Sequence, residues 1–249
     1  MYLYKPPRLS EAGNVLLPPT VDLDQLLARK RELETRASES RDFLDRLRDL
    51  RIWQARRLAQ TYDDLRGDAR YAPAIAFFLN DLYGSLDSGP RDRQLARASP
   101  LLRHGLPGAA RAALERAIEL DVLSAELDHA MVALISSWPI GGAGYADAYR
   151  LVGRRDARAR QIELVLSVGA DLDRIVRYAW IGSALHLWQA PARAIGFGVL
   201  HDFLDRGFDA FRNIADARTF LQTIREREVQ LMEQLFAGGG EEVFADRSQ

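Results

Sequence analysis

The chain has 249 residues, 47% hydrophobic and 28% charged, enough to enclose a sizeable core as one large domain or two small ones. Thirty-four basic side chains against thirty-five acidic ones leave a net charge of -1, which removes any global electrostatic draw toward nucleic acid or anionic lipid. The absence of cysteine excludes disulfides, thiolate metal sites, iron–sulfur clusters and cysteine nucleophiles, and leaves four histidines for metal or acid–base work.

Residues 1–19 hold Pro6, Pro7, Pro18 and Pro19, which deny helix and predict an extended proline-rich arm, with Tyr2, Leu3 and Tyr4 as anchors. This stretch has no basic segment followed by an apolar one, so a cytoplasmic location is expected. Lys5 and Lys30 are the only lysines; arginine supplies the rest, the pattern that codon bias in a GC-rich bacterium produces.

Thr20 stands where an N-cap belongs, with Asp22 and Asp24 at the positive end of the helix dipole. From Val21 to Arg66 there is neither proline nor glycine. Leu26, Leu33, Leu44, Leu47, Leu58 and Leu65 fall near one seam, which predicts one or two long antiparallel helices with a break or bend at Ser38 and Ser40. The alternating charges read as the solvated face. Gly67 and Asp68 stop this element, and Pro73 opens a helix that Gly84 closes. Pro107 opens a long helix over 108–137, ended by Trp138 and Pro139.

Pro139, Gly141, Gly142 and Gly144 mark a subdomain boundary near 139–144 or a long inter-helix turn. Helices follow over 145–152, 154–168, 172–188, 191–206 and 215–236, with Gly169 separating the second from the third. Residues 238–249 read as a frayed, disordered tail. No stretch alternates with period two, so the expected class is all-α: a multi-helix bundle over 20–237, with a long N-terminal helical element and no sheet.

The string Phe77, Phe78, Leu79, Asn80, Asp81, Leu82, Tyr83 resembles the signature of the FFLEELY-motif proteins, an uncharacterised bacterial family. Asn80 and Asp81 stand where that signature has two glutamates. The resemblance implies a helical bundle and brings no activity with it. Physically the string is an apolar ridge of Phe78, Leu79 and Leu82, widened by Phe77 and Tyr83, and a packing role is the simpler reading over an aromatic-lined pocket.

Several constellations bear on chemistry. Glu126 and His129 form one E-x-x-H pair on the long helix, with Glu119 one heptad upstream and Glu115 a further turn before it. Di-iron bundles use that pair twice and add two further glutamates, so no metal is expected here. His201 and Asp202 repeat the dipeptide of metal-dependent phosphohydrolases without their other ligands. The least charged stretch, Tyr178 to Leu200, is interrupted by His186, Gln189, Pro191 and Arg193 and predicts a buried helix pair instead of a membrane span. Trp180, His186, Trp188, His201 and Asp202 form its candidate pocket.

Arg150, Arg154, Arg155, Arg158 and Arg160 form the densest basic patch, with Arg150, Arg154 and Arg158 four residues apart on one face. Such a row suits phosphates, but no nucleic-acid motif accompanies it, and ion pairing with neighbouring helices is preferred. There is no Walker loop, dinucleotide fingerprint or nucleophile elbow. The expectation is therefore a helical binding or protein-interaction module without a cofactor, able to form homo-oligomers. An enzyme with a pocket at His186, His201 and Asp202, metal-assisted, is the alternative, and nucleic-acid binding through Arg150–Arg160 the third.

Overall fold

A computed structural model describes residues 23–83, 90–91, 93–95, 97–98, 108–214 and 216–244. The expected arm over 1–19, the Thr20 cap and the tail beyond residue 244 lie outside these. The all-α expectation holds: every element among the described residues is helical.

The expected break at the serines divides the proline-free run. Helix α1 (Leu23–Ser38) ends there, and Ser40, in extended conformation, accepts a hydrogen bond from the Phe43 N–H at 3.3 Å to start α2 (Arg41–Thr61). A short α3 (Asp63–Gly67) stops at glycine, and α4 (Ala72–Phe77) carries Pro73 in its first turn. The backbone then widens into a π-helical turn over Phe78–Tyr83, the segment expected to continue as α-helix. The side chains of Leu82 and Tyr83 lie outside the description. The remaining helices are α5 (Gly108–Leu134), α6 (Gly142–Val152), α7 (Arg155–Val176), α8 (Ala179–Ala194), α9 (Gly198–Arg212) and α10 (Ala217–Phe236), with a final 3₁₀ turn over Glu241–Val243.

Two expected punctuation marks are read differently by the fold. Gly169 does not break α7. A Cβ there would stand 2.5 Å from Leu221 Cδ2, so this glycine serves the close approach of α7 and α10. Pro191 does not open a helix either: it sits in the last turn of α8, and the chain reverses at Gly196, whose φ of 81° falls in the left-handed region. Gly142 starts α6 beneath the C-terminal turn, where a Cβ would meet Glu241 Cγ at 2.9 Å and the Phe244 ring at 3.2 Å. Within the stretch expected to fray, Phe244 packs edge-on against Trp53 and Tyr145.

The buried residues among those described form three clusters. One gathers Phe77, Phe78, Phe208, Phe211 and Phe220 from α4, the π turn, α9 and α10. A second joins Leu50 of α2, Met131 of α5, Tyr145 of α6 and Leu231 of α10. The third packs α1 on α5 through Leu23, Leu26, Leu27, Leu33, Ile118 and Val122. Helix α7 crosses the interior, packed on α5, α9 and α10. The three clusters do not fuse into one solid core.

Candidate functional site

Where the clusters meet there is a cavity of about 470 Å³, lined from α1, α2, α4, the start of the π turn, α5, α6, α7 and α10. Its apolar wall takes Leu33 from the α1 cluster, Leu47 from the second, and Leu58, Ile75 and Phe78 from the aromatic one. Glu34, Leu44 and Arg93 are its exposed lining residues and mark the rim.

The seam that builds α2 also delivers polar groups inward. Leu47, Leu50, Gln54 and Leu58 are all buried, so Gln54 occupies a position where the helical period calls for an apolar side chain. Its amide donates to Asp128 Oδ1 at 2.9 Å, and Arg51 Nε stands 3.4 Å from Asp128 Oδ2. One turn further along, Arg57 Nη1 donates to Glu228 Oε1 at 2.7 Å, and the Tyr62 hydroxyl donates to the same oxygen at 2.8 Å. Burial opposes the charge on Arg57, but Glu228 and the Tyr145 and Tyr62 phenols outweigh it and hold the guanidinium above its ordinary pKa. Lys30 pairs with Asp121. Burial lowers the His129 pKa below the ordinary histidine value, with Asp128 opposing and Arg51 reinforcing the shift, so this ring is neutral at pH 7.

Arg158 differs from every other cation of the lining. Only 5% of it is exposed, and among the described residues no carboxylate pairs with it. Its Nη1 donates to Gln161 Oε1 at 3.1 Å, its Nη2 meets the Met131 thioether at 3.0 Å, and its Cζ lies 4.4 Å from the Tyr149 ring centroid. Among the described residues its Nε–H has no acceptor, and neither has the buried Nε–H of Arg57. A thioether is a weak acceptor, and a buried guanidinium remains charged, so Arg158 is under-satisfied in both hydrogen bonding and charge.

The other arginines of the sequence patch are spent on neighbours. Arg150 donates to the carbonyls of Leu235 at 3.3 Å and Gly239 at 2.5 Å and pairs with Asp147, closing the C-terminal end of α10. Arg154 faces Glu126 at 3.7 Å, Arg155 pairs with Glu233, and Arg160 holds Glu119 at 2.9 Å. The row of Arg150, Arg154 and Arg158 is thus not one exposed stripe, because its third member points inward.

The five residues of the expected α8–α9 pocket face different surroundings. Trp180 is 60% exposed and Trp188 55%, and His186 is exposed. His201 is buried, and its Nε2 donates to the Leu185 carbonyl at 2.7 Å. Asp202 pairs outward with Arg193 at 3.1 Å, which with further help from His201 lowers its carboxyl pKa. Glu126 accepts from Arg29 Nε at 2.7 Å, and His129 packs edge-on against Phe43. Among the described residues, no group of three histidines, aspartates or glutamates is arranged to hold a metal ion, and no helix is long and apolar enough to cross a membrane.

In the FFLNDLY segment, Phe77 packs on Phe203 with centroids 5.3 Å apart and Phe78 on Phe211 at 5.9 Å. Asp81 pairs with Arg206 of α9 at 2.7 Å, and Asn80 is exposed. The segment fastens α9, and Phe78 also reaches the cavity wall.

A family model described as a domain of unknown function, DUF8198, matches residues 33–242. The chain belongs to that family. The DUF8198 span takes in every cavity-lining residue except Lys30. Comparison with curated proteins and with solved structures found no match. Reading the sequence by itself missed Gln54, Arg57, Asp128 and Glu228. The signal that finds them is a polar residue at a seam position, as at Gln54 between Leu50 and Leu58, or Asp128 beside Leu127 and Met131.

Proposed function

We propose that this chain is a ligand-binding helical protein whose small-molecule ligand occupies the cavity enclosed by α1, α2, α5, α7 and α10. The observation that carries this reading is a cavity of about 470 Å³ inside the bundle, apolar over much of its wall with a few convergent polar groups. That size and composition are the ordinary attributes of small-molecule sites, which run from roughly 300 to 1,000 Å³. Of the segment that resembles the FFLEELY-motif signature, Phe77 and Phe78 supply packing and Phe78 one wall residue.

Native mass spectrometry of freshly purified protein, set against its denatured mass, tests the reading. Wild type is expected to carry an adduct that leaves on denaturation, or to gain thermal stability from members of a library of small organic acids, alcohols and amines. Ala125→Phe, which fills the lining with a ring, is expected to remain folded and lose both effects. A bare wild-type mass together with no ligand-induced rise in Tm removes the reading.

The outer face of α8 favours a second reading, in which the chain pairs with another copy of itself. Trp180, Leu187, Trp188 and Ile195 are each at least half exposed along α8 and its C-cap. Helix α8 carries no acidic residue, and its one charge, Arg193, is neutralised by Asp202, so two such faces meet without like-charge repulsion. With Tyr178 and Val199 these side chains expose on the order of 800 Å², one partner's share of a standard interface. Sedimentation velocity of wild type and Trp188→Glu decides it: a dimer converted to monomer supports pairing, and a wild-type monomer at all concentrations ends it.

A further inference from the structure

Resting on the cavity reading above, the geometry points to an organic anion as the ligand: a carboxylate with an apolar body, its head seated on Arg158. Six basic side chains line the cavity against four carboxylates, so the wall carries a positive excess before any ligand is counted. Three of the four acids are committed elsewhere, Asp128 to Gln54 and Arg51, Glu228 to Arg57 and Tyr62, and Asp121 to Lys30, and the fourth, Glu34, is exposed at the rim. None of them reaches Arg158.

The consequence is energetic. A guanidinium withdrawn from water is destabilising unless an opposite charge or a full set of acceptors compensates it. Here the fixed compensation is one amide oxygen, one thioether and the Tyr149 ring face, with Nε–H left over. A carboxylate accepts from Nε and one Nη in the same plane, the fork geometry that arginine offers and lysine does not. The body of the ligand follows from the rest of the wall. Leu47, Leu58, Ile162, Val165 and Ile224 have nothing polar to offer, so the part of the ligand beyond its head is hydrocarbon or aromatic. A strongly hydrated anion such as phosphate would leave that wall unfilled.

The test uses the full chain with octanoate, octanol, octylamine and inorganic phosphate as probes, read by isothermal titration calorimetry and by the shift in Tm. Octanoate is expected to bind at least about tenfold more tightly than octanol, the contribution of a charge-assisted hydrogen-bonded pair. Arg158→Met keeps the volume of the side chain and removes its charge. It is expected to bring octanoate down to the level of octanol while leaving the unliganded Tm unchanged or raised, because an uncompensated buried charge has been replaced by apolar atoms. Arg158→Lys, which keeps the charge and loses the fork, is expected to fall between the two.

Equal binding of octanoate and octanol, or octanoate binding untouched in Arg158→Met, overturns the anionic class while the cavity reading survives. Phosphate binding as tightly as octanoate overturns the apolar body. Failure of all four probes overturns the anionic class, and the cavity reading falls with it only where the native mass is bare and no member of the library raises the Tm. A fall in the unliganded Tm of Arg158→Met, with octanoate affinity retained, marks Arg158 as a structural cation and sinks the inference.

Discussion

Gly207 illustrates how much of this fold is decided by single atoms. It lies on α9 where that helix meets α4, and a Cβ there would stand 2.9 Å from Cζ of the buried Phe77 ring. Alanine would be the better helix former by about 1 kcal/mol, yet an extra methyl pressed into a packed core costs about 1–3 kcal/mol. The ring tip is rigid and walled in by Phe78 and Phe203, so the packing cost wins. Gly207→Ala is therefore expected to lower stability by about 1 kcal/mol or more, read as a lower urea midpoint at unchanged slope. An unchanged or higher midpoint would show that Phe77 has room to move. The same scale explains what the sequence hid. An arginine among five within eleven positions reads as part of a surface patch, and only the turn of α7 reveals that Arg158 faces Met131 and Tyr149 while Arg154 and Arg155 face acids outside.

At the scale of elements, composition and period carried the class and nearly all of the helices, because proline, glycine and N-cap residues act locally. The break at Ser38–Ser40 is an example: the cap is a contact between neighbours in sequence. Gly169 and Pro191 were illegible for the opposite reason. Glycine in α7 is required by Leu221, more than fifty positions away, and proline in α8 is tolerated because the helix ends one turn later. Local rules assign both to breaks; tertiary contact assigns them to packing and to a last turn. Helix α8 shows the same limit on amphipathicity. Ile181 and Leu185 turn inward onto the aromatic cluster while Trp180, Leu187 and Trp188 turn outward, so a helix apolar on two sides reads as buried when only one side is. If its outer face is a pairing surface, Tm rises with protein concentration in wild type and not in Trp188→Glu.

Across the whole molecule, ion pairs join helices that share little apolar contact, and this sets the response to acid. Arg227 of α10 holds Asp64 of α3 through two 2.7 Å bonds, and this hydrogen-bonded pairing lowers the Asp64 pKa. The Thr219 hydroxyl and backbone N–H lower Asp216, and Arg70 holds Asp68 down at about 2. A carboxylate whose pKa is depressed on folding contributes stability that is complete above its unfolded value and lost as the pH falls through the folded one. The protein is therefore expected to keep a level urea midpoint above about pH 7, to lose some stability as the pH falls through the ordinary histidine value because the folded state holds His129 neutral, and to lose stability progressively below about pH 4. Asp64→Asn is expected to start lower at neutral pH and to have a shallower acid limb. Parallel acid limbs in the two proteins would show that the α3–α10 pair contributes nothing to the slope.

The stacking of Trp53 on Tyr145, with centroids 4.1 Å apart, gives the cavity its own optical reporter. Tyr145 belongs to the lining, and Trp53 is half-buried against it and the edge-on Phe244 ring, so its indole emission is sensitive to events in the interior and less open to dissolved iodide than the exposed indoles. Trp180 and Trp188 are open to that quencher. Replacing these two by phenylalanine leaves Trp53 and Trp138 as the only emitters, and occupancy of the interior can then be followed by fluorescence in a cuvette without labelling the protein.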